Sequence, residues 1–155
     1  MFLNKRFYYR KFSSPIGCLQ LVSDKNNLLK IQFGSEDNFR NSDLPILIKT
    51  EKQLQEYFVG KRKQFEIPYK LEGTKFQIKV WEELNKIPFG ETISYKTLAT
   101  RVGNKNKARA AGNANGKNPL PIIIPCHRVI ASDGSLGGYD GGIDNKEYLL
   151  ELERN

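Results

Sequence analysis

Histidine and cysteine are scarce in this chain. Its 155 residues include one histidine and two cysteines. Two cysteines cannot build the disulfide framework of a small secreted domain, and a reducing compartment inside the cell is expected. One histidine with two cysteines falls short of an ordinary Cys/His zinc site, so no metal is expected. No apolar run approaches the roughly 20 residues that span a bilayer, which excludes a membrane helix. The opening "MFLNKRFYYRKF" lacks the continuous apolar core of a signal peptide, and a cytoplasmic location is expected. "GSLGGYDGG" lacks the G-x-G-x-x-G spacing of a dinucleotide site, so no cofactor is expected.

Acidic residues are missing from one long window. From Thr92 to Ser132 there is no Asp or Glu, while Lys96, Arg101, Lys105, Lys107, Arg109, Lys117 and Arg128 all fall there. The net charge is +8, and outside this window 18 basic residues nearly balance 17 acidic ones. The excess charge is therefore concentrated, as on a surface that meets a polyanion such as nucleic acid.

The rest of the chain reads as an α+β protein. "RFYYRKF", "GCLQLV" and "LLKIQF" have strand composition, with turn chemistry in "SSPIG" and "SDKNN" between them, which predicts an antiparallel meander. Residues 35–44 are polar and read as a loop. Pro45 to Gly60 carries Ile46, Leu47, Leu54, Tyr57 and Phe58 at helical spacing. "KQFEIPY" reads as a short edge strand limited by Pro68. A boundary near Leu71–Gly73 divides an N-terminal sheet-plus-helix domain, 1–71, from a mostly helical C-terminal domain, 72–155. In the latter, Phe76, Val80, Trp81, Leu84 and Ile87 form one stripe, ended by Pro88 and Gly90. Ser94 is a good N-cap for "YKTLATRVG", with Gly103 as its stop, and Asn104 or Asn106 can cap a helix through "KARAAGNAN". Two short helices around a glycine turn predict a helix-turn-helix. The second is lined by Ala108, Ala110, Ala111, Gly112 and Ala114, with Arg109 as its one long probe. Such a face suits either tight packing on a neighbour or close approach to a groove. "PIIIPCHRVIA" reads as extended, "SDGSLGGYDGG" as a loop, and "DNKEYLLELERN" as a closing helix with Asp144 and Glu147 spaced as a capping box.

The histidine follows a cysteine in "IIIPCHRVI". Cysteine reacts as its thiolate, and a nearby base or positive charge lowers its pKa. His127 and Arg128 both adjoin Cys126. Adjacent side chains on an extended strand point to opposite faces, so a Cys126–His127 link needs a bridging water or a bent backbone. A Cys-His pair alone also fits a buried, inert thiol.

More than the pair is present. "FQIKVWEELNKIPFGETISYKTLA", "RAAGNANGKNP", "PCHRV" and "GGYDGG" stand in order from Gly73 to Glu153. Together they resemble the O6-alkylguanine-DNA alkyltransferases, and "SPIGCLQLV" resembles that family's opening hairpin. The resemblance implies repair of duplex DNA by single-turnover, irreversible transfer of an alkyl group from guanine O6 to Cys126. O4-alkylthymine is a further candidate substrate. His127 would be the base through a water, held by Glu153. Asn118 would brace the active-site turn, and Tyr95 would donate a proton to the departing guanine. Arg109 would fill the space of the flipped base. Ala108, Ala110, Ala111 and Gly112 would lie in the minor groove, with Thr92, Ser94, Lys105, Lys107 and Arg128 completing the DNA contacts. Tyr139, Asp140, Asn115 and Val129 would form the substrate pocket. Asn115 and Asp140 occupy positions that vary in the family and bear on the alkyl groups accepted. The zinc of some members uses N-terminal Cys and His ligands, which the lone histidine excludes. Cys18 reads as packing. A monomer acting on double-stranded DNA is expected.

The alternative from another class is a DNA-binding protein that senses alkylguanine without chemistry, but members of that kind lack the acceptor cysteine. A Cys-His hydrolase is disfavoured because adjacent Cys and His do not suit it. A plain transcription regulator leaves the proline-framed thiol unexplained.

Overall fold

The structure, a computed structural model, describes residues 6–34 and 40–155. The chain falls into two compact units, 1–71 and 72–155.

The first unit is an antiparallel meander with one helix. Strands β1 (Tyr8–Ser14), β2 (Gly17–Ser23) and β3 (Leu28–Phe33) pair in the order β1-β2-β3. Ser14 pairs with Gly17 across the hairpin, and Gly17 takes φ +98°, which a glycine accepts without strain. Helix α1 (Pro45–Phe58) starts on a proline, and Ile46, Leu47, Leu54, Tyr57 and Phe58 bury one side of it. The expected loop at 35–44 has its first half outside the described residues; residues 40–44 have no regular structure. The expected edge strand shrinks to one bridge between Tyr69 and Leu28. Pro68 has no N–H to extend a ladder. The preceding segment is instead tied to α1 by a side chain: Gln53 accepts from the Glu66 N–H at 2.9 Å and donates to its carbonyl at 3.3 Å.

The second unit begins with α2 (Lys75–Leu84). Thr74 and Gln77 form a reciprocal capping box there, a signal the sequence reading passed over. Val80, Trp81 and Leu84 are buried, and the Trp81 indole donates to the Ala114 carbonyl at 2.8 Å. Strand β4 (Ile93–Ser94) leads into α3 (Tyr95–Arg101), where Ser94 accepts from the Thr97 N–H at 3.0 Å. Asn104 caps a 3₁₀ turn at Lys105–Lys107, and α4 (Ala108–Gly116) follows with no side-chain cap of its own. The helix-turn-helix is thus present. Strand β5 (Val129–Ile130) pairs in parallel with β4, and α5 (Ile143–Arg154) closes the chain.

Two local expectations need correction. Helix α5 starts at Ile143, with Gly142 as its N-cap and no side-chain cap bond, so Asp144 and Glu147 form no capping box. Asp144 lies in the first turn, where its charge meets the positive end of the helix. The "PCHRV" segment is not a continuous strand either. Cys126–Arg128 form a 3₁₀ turn before the two-residue β5.

Candidate active site

The bent backbone decides where the three consecutive side chains go. A 3₁₀ turn has three residues per turn, so successive side chains diverge by about 120° rather than alternating. Cys126 lines a small pocket with Asn118, Tyr139 and Asp140. His127 and Arg128 both turn inward to Glu153 on α5. The turn is braced from α4 and the segment after it. Asn118 donates to the Ile124 carbonyl at 2.7 Å and accepts from the Leu120 N–H at 3.0 Å, and Asn115 donates to the Cys126 carbonyl at 3.3 Å. Between these braces Ile122 holds φ +75°, a conformation a β-branched residue adopts only when its surroundings impose it.

Glu153 is the electrostatic centre behind the thiol. Its Oε2 lies 2.7 Å from His127 Nε2, and Arg128 donates through Nε to Oε1 at 2.7 Å and through Nη2 to Oε2 at 3.0 Å. Burial opposes ionisation of Glu153, but these bonds outweigh it and hold the carboxyl at a pKa of about 2. Burial also lowers the pKa of His127, against the pull of Glu153. The imidazole is therefore neutral near pH 7. A carboxylate can only accept, so Nε2 carries the proton and Nδ1 keeps its lone pair. Nδ1 has no hydrogen-bond partner among the described residues.

Burial pushes the Cys126 thiol up to about 11, while a hydrogen bond from Asn118 and the charge of Lys146 pull it down. Lys146 was missed in the sequence. It is fully buried, and Nζ donates to the carbonyls of Val129 at 2.7 Å, of Leu136, and of Gly138 at 3.1 Å. Its ammonium also lies 5.8 Å from the Tyr95 ring centroid. Burial brings its pKa down to about 8, with Cys126 opposing. The available signal was its place on the α5 stripe: Lys146, Leu149, Leu150 and Glu153 share the buried face.

The thiol pocket adjoins, and shares Asn115, Gly116, Gly138, Tyr139 and Asp140 with, a cleft of about 620 Å³ that is also lined by Tyr95, Ala108, Arg109, Gly112 and Asn113. Tyr95 is packed between two glycines. A Cβ on Gly112 would lie 3.3 Å from its ring, and one on Gly137, already at φ +71°, would lie 2.5 Å from its hydroxyl. Burial raises the pKa of Tyr95, and Cys126 adds to this, so the phenol keeps its proton.

The structure brings Cys126, His127, Glu153, Asn118, Tyr95, Asn115, Tyr139 and Asp140 into one region, and separates others from it. Arg128 is 7 % exposed and spends its guanidinium on Glu153 and the Ile87 carbonyl, so it cannot serve as the expected DNA contact. The buried carboxylate requires that compensating charge. Ala111 is 0 % exposed and faces the core, not a groove. Val129 is likewise core, placed there by β5, and lines neither cleft nor pocket. Ala110, Arg109, Lys105, Lys107 and Thr92 are exposed, Ala108 and Gly112 are half-buried, and Ser94 is occupied as the α3 cap. Helix α4 thus uses small residues twice. Ala111 and Ala114 pack inward, and Ala108 and Gly112 leave the cleft smooth.

Residues 75–155 match the family described as 6-O-methylguanine DNA methyltransferase, DNA binding domain, and residues 7–71 match its ribonuclease-like domain. A methylated-DNA–protein-cysteine methyltransferase of Methanosarcina acetivorans is 41% identical, over 94% of this chain and 97% of the relative. The constitutive one of Bacillus subtilis is 40% identical over 95% of each chain. A Mycobacterium tuberculosis relative solved in complex with DNA superimposes with a TM-score of 0.87 at 43% identity, covering 95% of this chain and 92% of that one. Matched along nearly its whole length by sequence and by fold, the chain belongs to the 6-O-methylguanine DNA methyltransferase family.

Proposed function

We propose that this protein repairs duplex DNA by transferring an alkyl group from guanine O6 to Cys126, irreversibly and once per chain. The observation that carries this reading is the position of Cys126: at the inner end of a cleft, with a neutral imidazole and an ionised carboxylate buried directly behind it. An alkyl group on O6 lies inside the base stack, so the base must leave the duplex to reach the thiol. The cleft volume of about 620 Å³ suits a flipped nucleobase. The exposed Lys96, Arg101, Lys105, Lys107 and Lys117 supply phosphate contacts around the helix-turn-helix. Arg109, exposed at the cleft rim, fills the space left in the stack.

The resting thiol is neutral, as its raised pKa requires. Its proton passes through a water to Nδ1 of His127, and Glu153 stabilises the imidazolium that forms. Sγ attacks the O6-bound carbon, a sulfur–carbon bond forms as the carbon–oxygen bond breaks, and the electron pair stays on guanine. Tyr95 protonates the departing guanine and is reprotonated through solvent by the proton held on His127, so the net change is thiol to thioether and O6-alkylguanine to guanine. Lys146 offsets the negative charge on sulfur during attack. The thioether is stable, and among the described residues no second cysteine lines the cleft.

The test is intact mass after incubation with excess duplex carrying one O6-methylguanine. We expect a gain of one methyl group, mapped to Cys126, and no further turnover. Cys126→Ala gains none while still binding DNA. A methyl group on another residue, or continued consumption of substrate, contradicts the reading.

A further inference from the structure

Asp140, an exposed residue, is the one acidic residue lining both the cleft and the inner pocket, among the described residues. It sits in the glycine-rich loop that Lys146 holds through the Leu136 and Gly138 carbonyls. Its carboxylate has no ion-pair partner among the described residues. Lys146 is committed to backbone carbonyls, and Arg109 lines the outer cleft but not the inner pocket. The remaining lining of the inner pocket is neutral: Asn115, Gly116, Asn118, Pro121, Gly138 and Tyr139. The charge of Asp140 is felt at Cys126, where it opposes ionisation of the thiol.

We propose that Asp140 sets the charge of the alkyl groups this protein accepts, favouring neutral and cationic substituents on O6 and rejecting anionic ones such as carboxymethyl. The proposal rests on the alkyl-transfer reading and names the substrate class of that same site. A substituent in line for transfer lies against Sγ, within the pocket whose wall includes Asp140. An anionic substituent entering there loses water and faces both the Asp140 carboxylate and the charge developing on sulfur. The Lys146 charge also reaches the thiol, but it is common to the parent protein and Asp140→Asn, so the comparison between them isolates the effect of Asp140. A base stacked in the cleft excludes solvent, so screening falls as the substrate closes the site. An ammonium-bearing substituent experiences the same field with the opposite sign.

The experiment uses three duplexes of one sequence, with O6-carboxymethyl-, O6-carbamoylmethyl- or O6-(2-aminoethyl)guanine. The first two are nearly isosteric and differ in charge. Single-turnover rates are compared between the parent protein and Asp140→Asn. The carboxymethyl-to-carbamoylmethyl rate ratio should rise about tenfold in the variant, which corresponds to about 1.4 kcal/mol in barrier. The aminoethyl-to-carbamoylmethyl ratio should fall. A merely structural role for Asp140 moves all three rates together and leaves both ratios unchanged, which overturns the proposal. Uptake of the carbamoylmethyl group at Cys126 of the parent protein is the separate check on alkyl transfer itself. Its absence sinks that reading, whereas uptake with unchanged ratios sinks only the role of Asp140.

Discussion

The two units bury different kinds of polar group. In unit 1–71 the buried polar residues among those described are Gln20, Ser23, Thr50 and Gln53, all neutral. In unit 72–155 they include His127, Arg128, Lys146 and Glu153. Two of the first set serve local structure: Thr50 bonds back to the Ile46 carbonyl at 2.7 Å, and Gln53 secures a loop. The second set is costly, because a buried charge loses several kcal/mol of hydration that its partners must offset. Those charges lie around one thiol. Ionisable groups gathered at that cost mark where a protein does chemistry rather than where it needs cohesion.

The contrast can be broken most sharply at Glu153. Glu153→Ala leaves Arg128 buried without its counter-charge and His127 without its brace. A loss of about 3–5 kcal/mol in unfolding free energy is expected by denaturant titration, together with severe loss of methyl uptake. A variant as stable as the parent erases the distinction between the units.

Acid should reproduce part of that loss without mutation. Glu153 has a folded pKa of about 2, below its ordinary 4.5, so its contribution is complete above 4.5 and disappears as pH falls toward 2. His127 is also depressed from its ordinary 6.5, so the folded state resists protonating it, and a first decline begins as pH falls below 6.5. Thermal scans across this range should show Tm falling in two stages, with Glu153→Gln losing the lower one. A flat profile down to pH 3 contradicts the assignment.

Lys146→Met removes a charge from the thiol's surroundings and three hydrogen bonds, two of them to the loop and one to Val129. Single-turnover transfer should slow by about 10- to 100-fold, on the scale of a lost preorganised charge. In the parent, the rate should fall as pH rises through about 8, where Lys146 loses its proton. A rate that climbs steadily with thiol ionisation beyond that point argues against the role.

The smallest effect belongs to the first unit. Gln53→Ala removes two bonds to the Glu66 backbone and should cost about 1–2 kcal/mol, with the transfer rate unchanged. A large loss of transfer would show that the first unit takes part in the chemistry.

What could be read beforehand follows the range of the forces involved. The meander and α1 depend on alternation, helical spacing and turn residues, all local, and they were legible. The irregularity in β2–β3 pairing at Val22/Ser23 has no local signal. Ser94 announces itself as a cap because its bond spans three residues. Arg128 misled because its partner Glu153 is 25 residues away, and a count of charges along the chain cannot see it. The prolines around Cys126 favour an extended reading over a helix, and the 3₁₀ turn departs from it. The bend depends on Asn115 and Asn118 reaching across from α4 and its exit.

The single histidine gives this protein a built-in reporter. A sample grown with ¹⁵N-labelled histidine carries side-chain label on His127 alone. Its spectrum should hold one protonated nitrogen, Nε2 facing Glu153, and one bare nitrogen, Nδ1. The two types resonate far apart, so the tautomer is read without resonance assignment. Recorded before and after alkylation of Cys126, the pair would follow one proton through the reaction on a nucleus that no other residue can imitate.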